Sequence, residues 1–155
     1  MAVIEMLPEN RAYFVEQFNR VAPDSARRFG TLTPVRMLRH LRYSFDTSLG
    51  NISDTPDWSK PVLRTVIRLV FFEWFTNWPG GKLKAPADWT PEETVSIDEE
   101  RDSLIAKMDE FLAALEGDPQ RRTVSPILGP TTIRYWARVH GVHFRHHFKQ
   151  FNLLG

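Results

Sequence analysis

Apolar side chains recur every three to four residues through most of this chain, and this spacing predicts helices. The first predicted helix covers about residues 8–21. The second follows Thr33, a favourable N-cap residue, and opens with Pro34, which suits the first position of a helix. We expect this second helix to end at Gly50, since glycine commonly follows the last helical turn.

Three further helices are predicted in the remainder of the chain. The third follows Ser59, its expected N-cap, has Pro61 in its first turn and continues to about Phe75. The fourth opens with a capping box, in which Ser96 precedes Glu99 by three residues, and it stops at the sequence EGDP, residues 116–119. The last helix is predicted over about residues 131–151.

Two segments between these helices are predicted to be loops, residues 77–91 and residues 117–130. The hydrophobic pattern indicates neither strands nor internal repeats. Helices joined by loops favour an all-α bundle, and 155 residues are most simply one domain, residues 1–155.

The third predicted helix is apolar on nearly all sides, as its sequence VLRTVIRLVFFEWF, residues 62–75, shows. A helix of this kind is either central in the fold or covered by a second subunit. We therefore expect a homodimer through residues 62–75 as one alternative.

Composition narrows the class of protein and the kind of site. The chain contains no cysteine, so it has no disulfides, and any metal must be held by nitrogen and oxygen ligands. Its longest apolar run, residues 66–75, is about half the ~20 residues that a membrane span needs. Acidic residues near the N-terminus do not suit a signal peptide, so we expect a soluble, cytoplasmic protein without a membrane partner.

Charge is distributed unevenly along the chain. The net charge is +1, yet residues 119–155 contain six Lys or Arg residues and no Asp or Glu. The arginines of the last helix fall on the side opposite its apolar face, without interleaved aromatic residues. This pattern favours a solvated helix face, and we predict no nucleic-acid partner.

Four of the five histidines lie in the last predicted helix: His140, His143, His146 and His147. At about 100° per residue, His140, His143 and His147 fall on the apolar face, and His146 falls at its edge. His143 and His147 are four residues apart, so two imidazoles can reach one ion. The alternative is that these rings hydrogen-bond with Trp136, Tyr43 or water. His40 is the remaining histidine, and periodicity alone does not select it as a third ligand.

Four segments of the chain, in this order, resemble one family: GTLTPVRMLRHL (30–41), NWPGGK (77–82), ILGPTTIRYW (127–136) and HFRHHFKQF (143–151). They are similar to the DinB-like, or YfiT-like, metalloenzymes, in a bacterial branch of unknown function with ML-x-HL and H-x-x-HH-x-x-QF motifs. The resemblance implies an up-and-down four-helix bundle, here with an additional short helix and long loops. It also implies one divalent metal ion, often nickel or zinc, held by His40, His143 and His147.

In this resemblance His140 stands where the family usually has an apolar residue, so we expect it to be a proton relay or catalytic base and not a ligand. His146 matches the second member of the HH pair, but its angle directs it away from the other ligands. Asp46 and Glu73 are the carboxylates considered as alternative bases.

Three histidine ligands leave a coordination position for substrate, as in catalytic metal sites. Relatives in the wider superfamily include thiol S-transferases, and this implies a small-molecule substrate such as a low-molecular-weight thiol. A metal-dependent hydrolase is the second hypothesis. A non-catalytic metal-binding protein and a dimeric interaction protein without metal are the rivals from other classes.

The substrate pocket is predicted to include Trp78, Trp89, Trp136 and Tyr43. The two tryptophans of loop 77–91 flank Pro-Gly-Gly. They form either an aromatic lid over the open metal position or two anchors for a connecting loop. Trp136 is either a pocket wall or a core residue.

Overall fold

The computed structural model describes residues 2–52, 55–81 and 95–154. These ranges are predominantly helical, with a small two-stranded sheet. The elements are α1 (Arg11–Asn19), α2 (Pro34–Leu49), α3 (Pro61–Ile67), α4 (Ile97–Gly117), β1 (Arg122–Ser125), β2 (Gly129–Thr132) and α5 (Ile133–Gln150). A 3-10 turn, Pro8–Asn10, precedes α1, and a π-helical segment, Arg68–Trp74, continues α3. Within the described ranges, no helix has the length and apolar character to cross a membrane.

The ends of α2 and α4 confirm the predicted capping residues. The Thr33 side chain accepts a hydrogen bond from the backbone amide of Arg36, and Gly50 ends α2 in the left-handed conformation at a φ of 75°. Ser96 and Glu99 form both hydrogen bonds of a capping box at the start of α4. Local sequence therefore sets where these two long helices begin and where α2 ends.

The third helix differs from its prediction. It begins at Pro61 after Lys60, and the Ser59 hydroxyl donates to Asp57 instead of capping the helix. Phe72 is the one buried residue among those of α3 and the π-helical segment. The alternative of a central third helix is therefore wrong, since most of its large apolar side chains are exposed.

The expectation of a structure without strands is also wrong. The predicted loop 117–130 contains β1 and the first half of β2, and β2 ends at Thr132, within the predicted last helix. β1 pairs antiparallel with β2, from Arg122 opposite Thr132 to Ser125 opposite Gly129. Gly129 has a φ of +66°, which suits the turn between the strands. Strands of four residues are too short for alternation to be distinguished from chance, so the hydrophobic pattern missed them.

The hydrophobic core lies where α2 packs against α4 and α5. Its largest fully buried side chains include seven phenylalanines: Phe14, Phe18, Phe45, Phe72, Phe111, Phe144 and Phe148. Along α2, His40 contacts His143 and His147, whereas Ser48, two turns later, contacts His140. The partners on α5 thus move backwards as α2 advances, so the two helices are antiparallel at this seam.

A buried carboxylate links α2 to α4. The Glu100 side chain is 2% exposed, and its two oxygens accept hydrogen bonds from Arg39 at 3.0 Å and Arg42 at 2.5 Å. Removing either partner of a buried ion pair is costly, because an isolated charge is left in a medium of low polarity. These ion pairs therefore link α2, the helix that carries His40, to α4.

Candidate metal centre

Three histidines from two helices meet at the seam between α2 and α5. The Nε2 atom of His143 lies 2.8 Å from Nε2 of His40 and 3.1 Å from Nε2 of His147. One ring nitrogen from each of the three lies within 4.8 Å of the others. His40 and His147 are buried, and His143 is half-buried. The fold thus brings together residues 103 positions apart in the sequence.

Helix geometry explains how the three rings face one point. His143 and His147 are one turn apart on α5, and their ring centroids lie 4.9 Å apart. The His40 ring lies 4.8 Å from each of them. His40, which comes from a second helix, therefore completes a triangle of rings with the pair His143 and His147.

The side chain of Gln150 sets the tautomer of one of these histidines. Its Nε2 donates to the carbonyl oxygen of Phe29 at 2.9 Å, which leaves its Oε1 facing Nδ1 of His147 at 2.8 Å. Since an amide oxygen only accepts, Nδ1 of His147 carries the proton and Nε2 presents its lone pair to the cluster. The sequence interpretation did not single out Gln150, although a polar residue three positions after His147 on an apolar face was a usable signal.

Three neutral imidazoles cannot satisfy one another in this arrangement. Both short contacts share Nε2 of His143, which has one in-plane position for either a proton or a lone pair. If His143 donates to His147, the same proton is shared with His40. If His143 accepts from His40, its lone pair meets the lone pair of His147. A cation removes this conflict, because it accepts all three lone pairs.

Protonation of one histidine would also resolve this conflict, but burial disfavours the charged ring. Loss of hydration lowers the pKa of His143 and of His147 well below the ordinary value of 6.5, and the neighbouring histidines lower both further. Ligands 2.0–2.1 Å from a tetrahedral metal lie about 3.4 Å apart, so the separations of 2.8 Å and 3.1 Å would widen slightly around a divalent cation. The three histidines could therefore hold one metal ion.

The cluster forms part of the wall of a cavity of about 690 Å³. Its wall also includes aromatic side chains, namely Phe29, Trp58, Phe71, Phe72, Trp78 and Trp136. Of the described residues that line it, none is Asp or Glu. A cavity of this volume is within the range of small-molecule sites, roughly 300–1,000 Å³.

With this geometry established, comparison with known proteins identifies a family. The profile of a family described as a protein of unknown function (DUF1569) matches residues 12–153. The chain belongs to this family. No curated protein and no solved structure matches this DUF1569 chain. The family description carries no activity, so the site itself must support any function.

His140 of this DUF1569 protein lies in a different environment from the three clustered histidines. Its ring stacks on Trp136 at 5.5 Å and contacts Phe45 at 4.6 Å and Phe111 at 4.9 Å. Its Nε2 lies 2.9 Å from the hydroxyl of Ser48. Burial lowers the pKa of His140 to about 3, so the ring is neutral and weakly basic at neutral pH.

His146 points away from the cluster, as its predicted angle indicates. Its ring lies 5.3 Å from that of Phe29 and 5.7 Å from that of Trp78. Burial and the charge of Lys149 lower the pKa of His146, and a hydrogen bond to the backbone of Trp78 opposes this. His146 thus joins the aromatic wall of the DUF1569 cavity.

The structure places the predicted pocket residues at different sites. Trp78 lies on the cavity wall, with its ring 6.3 Å from that of His143, and its indole donates to the carbonyl of Phe71. Trp136 lies on the wall and is also buried in the core, with its indole bonded to Thr123. Tyr43 is not among the described residues that line the cavity. Trp89 lies outside the described residues.

The two carboxylates considered as bases are engaged elsewhere in this DUF1569 structure. Asp46 accepts from the Asn51 side chain at 3.0 Å and pairs with Lys107 at 3.2 Å. Glu73 accepts from the hydroxyl of Tyr135 at 3.0 Å. Neither lines the cavity that contains the histidine cluster.

Proposed function

We propose that this DUF1569 protein is a metal-dependent enzyme that transfers a thiol to an electrophile. We further propose that it is one of the DinB-like, or YfiT-like, up-and-down four-helix bundles, because its sequence motifs resemble theirs. His40, His143 and His147 would hold one divalent ion, with nickel or zinc as first candidates. The single observation that carries the proposal is the convergence of three Nε2 atoms on the wall of a large aromatic cavity.

The chain's own residues have three tasks in this proposal. The histidines supply neutral nitrogens from two helices, and Gln150 holds His147 in the tautomer that directs Nε2 to the centre. The aromatic wall keeps water away from the reacting groups. A divalent ion in this donor set would keep its charge of +2 and lower the pKa of a coordinated thiol.

In the proposed reaction the sulfur of the thiol forms a bond to an electrophilic carbon. The bond between that carbon and its leaving group breaks, and the leaving group takes the electron pair. The thiol proton passes to solvent. No oxidant or reductant is needed, and the absence of cysteine from the chain means that the reacting sulfur comes from the substrate.

The surroundings of the cluster support transfer over hydrolysis. A hydrolase needs a general base beside the attacking water, whereas an acidified thiol needs no strong base. The described cavity wall carries no carboxylate, and a pKa of about 3 makes His140 a poor base. We therefore keep metal-dependent hydrolysis as the second candidate and assign no proton transfer to His140.

The test is the loss of free thiol in the presence of an electrophile such as an alkyl halide or an epoxide. We expect the metal-loaded protein to consume thiol in amounts beyond one per chain, and the metal-free protein and His40→Ala to lack this activity. No metal-dependent thiol consumption with any electrophile would contradict the transferase. A metal that resists chelation, with no turnover, would instead support the non-catalytic metal-binding alternative.

The proposal includes self-association through residues 62–75. Val62 is 86% exposed, Trp74 69% and Phe75 66%, which is unusual for large apolar side chains within one short segment. We expect Val66→Glu to shift the protein toward monomer in sedimentation equilibrium, with Thr65→Glu as the control on the same helix. A monomeric wild type at about 100 μM would contradict a dimer of useful affinity.

A further inference from the structure

We propose that the electrophile of the thiol transfer is an uncharged compound with an apolar body, such as an aryl epoxide, and that it binds along the aromatic wall of the cavity. This inference rests on the proposed function, since it names the second substrate of that reaction. The thiol would occupy the histidine cluster, so the electrophile itself needs no contact with a metal. Its binding can therefore be tested on the metal-free protein.

A continuous series of rings forms the wall beside the cluster. The ring of Phe29 lies 5.3 Å from that of His146, which lies 5.7 Å from that of Trp78. The Trp78 ring lies 5.5 Å from that of Phe72 and 6.3 Å from that of His143. All of these residues line the cavity. A compound that reaches the cluster thus lies against aromatic surface.

Many polar side chains on the described wall already form hydrogen bonds within the protein, namely those of Ser44, Trp78, Ser125, Trp136 and Gln150. Arg36 also lines the cavity and has an interaction of its own within the chain. A charged ligand would therefore leave water for a wall whose polar groups are largely occupied. Moving a charge out of water without new hydrogen bonds is unfavourable. The wall thus favours an uncharged body.

The size and the opening of the cavity fit a compound larger than a single ring. A cavity of about 150 Å³ already holds benzene, so about 690 Å³ has room for an aryl group beside the thiol. Trp58 and Ile127 line the cavity and are 60% and 43% exposed, as expected of residues at its opening. The backbone amide of Trp58 donates to the carbonyl of Pro126 at 2.9 Å, which joins the two sides of this opening. Apolar contacts therefore extend from the cluster to solvent.

Four unreactive ligands separate the contributions of the ring and of charge. The first, 3-phenylpropan-1-ol, is uncharged and carries a phenyl group. The second and third, 3-phenylpropanoate and 3-phenylpropylammonium, keep the ring and add a negative or a positive charge. The fourth, 1-propanol, lacks the ring. We expect the first to bind about 10- to 100-fold more tightly than 1-propanol, because the phenyl group is buried, and about 10-fold more tightly than either ion.

The indole N–H signals in NMR spectra show where the ligand binds. Trp78 and Trp136 line the cavity, whereas Trp74 is 69% exposed and is not among the described lining residues. Titration of the metal-free protein with 3-phenylpropan-1-ol should shift the signals of Trp78 and Trp136 to saturation with one dissociation constant. The Trp74 signal should not move. Replacement of each tryptophan by phenylalanine assigns the signals.

Ile127→Asp places a carboxylate at the opening of the cavity and removes an apolar contact. We expect it to weaken binding of 3-phenylpropan-1-ol roughly fivefold. Val124→Asp is the matched control, because Val124 belongs to the same hairpin, is 37% exposed and does not line the cavity. This control should bind as wild type does. Circular dichroism would confirm that both variants are folded.

The outcomes distinguish this inference from the proposed function. If either ion or 1-propanol binds as tightly as 3-phenylpropan-1-ol, the electrophile class is wrong and the metal site is unaffected. Shifts at Trp74 without saturation would also overturn the inference, since they indicate adsorption on the exposed apolar segment. Predicted binding to the metal-free chain, together with no metal-dependent thiol consumption, would support the apolar site and contradict the transferase.

Discussion

His140 and His147 lie on the same apolar face of α5, two turns apart, and yet they have different surroundings. His147 contacts His40, His143 and the amide of Gln150. His140 contacts aromatic rings and a serine hydroxyl. Because both residues have the same periodicity and both are buried, position on the helix does not decide which one can bind a metal.

The neighbouring helix makes the difference. Opposite His147, α2 presents an imidazole from His40, and opposite His140 it presents Phe45 and Ser48. Two more nitrogens near His147 make a ligand set, whereas one hydroxyl and several rings near His140 make a packed, uncharged core. A buried histidine thus becomes a candidate ligand where a second element supplies further donors.

The largest effect on metal affinity is expected from removing His143. His143 contacts both other members of the cluster, so His143→Ala should lower zinc affinity by at least about 100-fold. Competition with a chromophoric chelator measures this affinity. The control is His146→Ala, because His146 packs on Phe29 and Trp78 and should leave affinity within about threefold of wild type. Equal affinities in wild type and His143→Ala would mean that the metal binds elsewhere.

An intermediate effect is expected from the residue that orients His147. Gln150→Leu removes the acceptor for the Nδ1 proton and should lower zinc affinity by about 10- to 100-fold. Gln150→Glu keeps an acceptor oxygen at that position, so it should retain most of the affinity. If the leucine variant binds zinc as wild type does, Gln150 has no part in positioning the ligand.

The smallest effect on metal affinity is expected at His140. His140→Phe should keep one zinc ion per chain, since His140 lies in the aromatic environment and not in the cluster. Loss of zinc in this variant would contradict the division between the two environments. Elemental analysis after dialysis measures the zinc content.

The same substitution should change the response to acid. The pKa of His140 is about 3 in the folded chain, below the ordinary value of 6.5 expected when unfolded. Its contribution to stability is therefore fully present above pH 6.5 and is lost as pH falls from 6.5 toward 3, because the unfolded state binds the proton first. We expect metal-free His140→Phe to lose less stability than metal-free wild type between pH 7 and pH 5, measured by urea unfolding. An identical pH dependence would show that His140 is not a source of acid sensitivity.

The sequence supported much of the helical framework. Thr33, Gly50, Ser96 and Glu99 act through local backbone hydrogen bonds, which depend on a few neighbouring residues. The i, i+4 pair of histidines on α5 is likewise a local pattern, and the spacing in the sequence is enough to identify it. His40 required the resemblance, because no local pattern shows which helix packs opposite α5.

Other features depended on contacts that sequence patterns do not record. The hairpin has strands of only four residues, and its register becomes apparent only when β1 and β2 pair. The outward orientation of α3 could not be inferred, since an apolar sequence is the same for a central helix and for an exposed one. The position of Gln150 between His147 and Phe29 depends on a chain segment about 120 residues away.

The most direct test of the metal centre is the zinc or nickel content of the purified chain after reconstitution and dialysis, measured for wild type, His40→Ala and His140→Phe. Three converging histidines predict one divalent ion per chain in wild type and in His140→Phe, and almost none in His40→Ala. Circular dichroism would confirm that all three proteins are folded. Wild type without a bound ion, or folded His40→Ala that retains one, would contradict the metal centre.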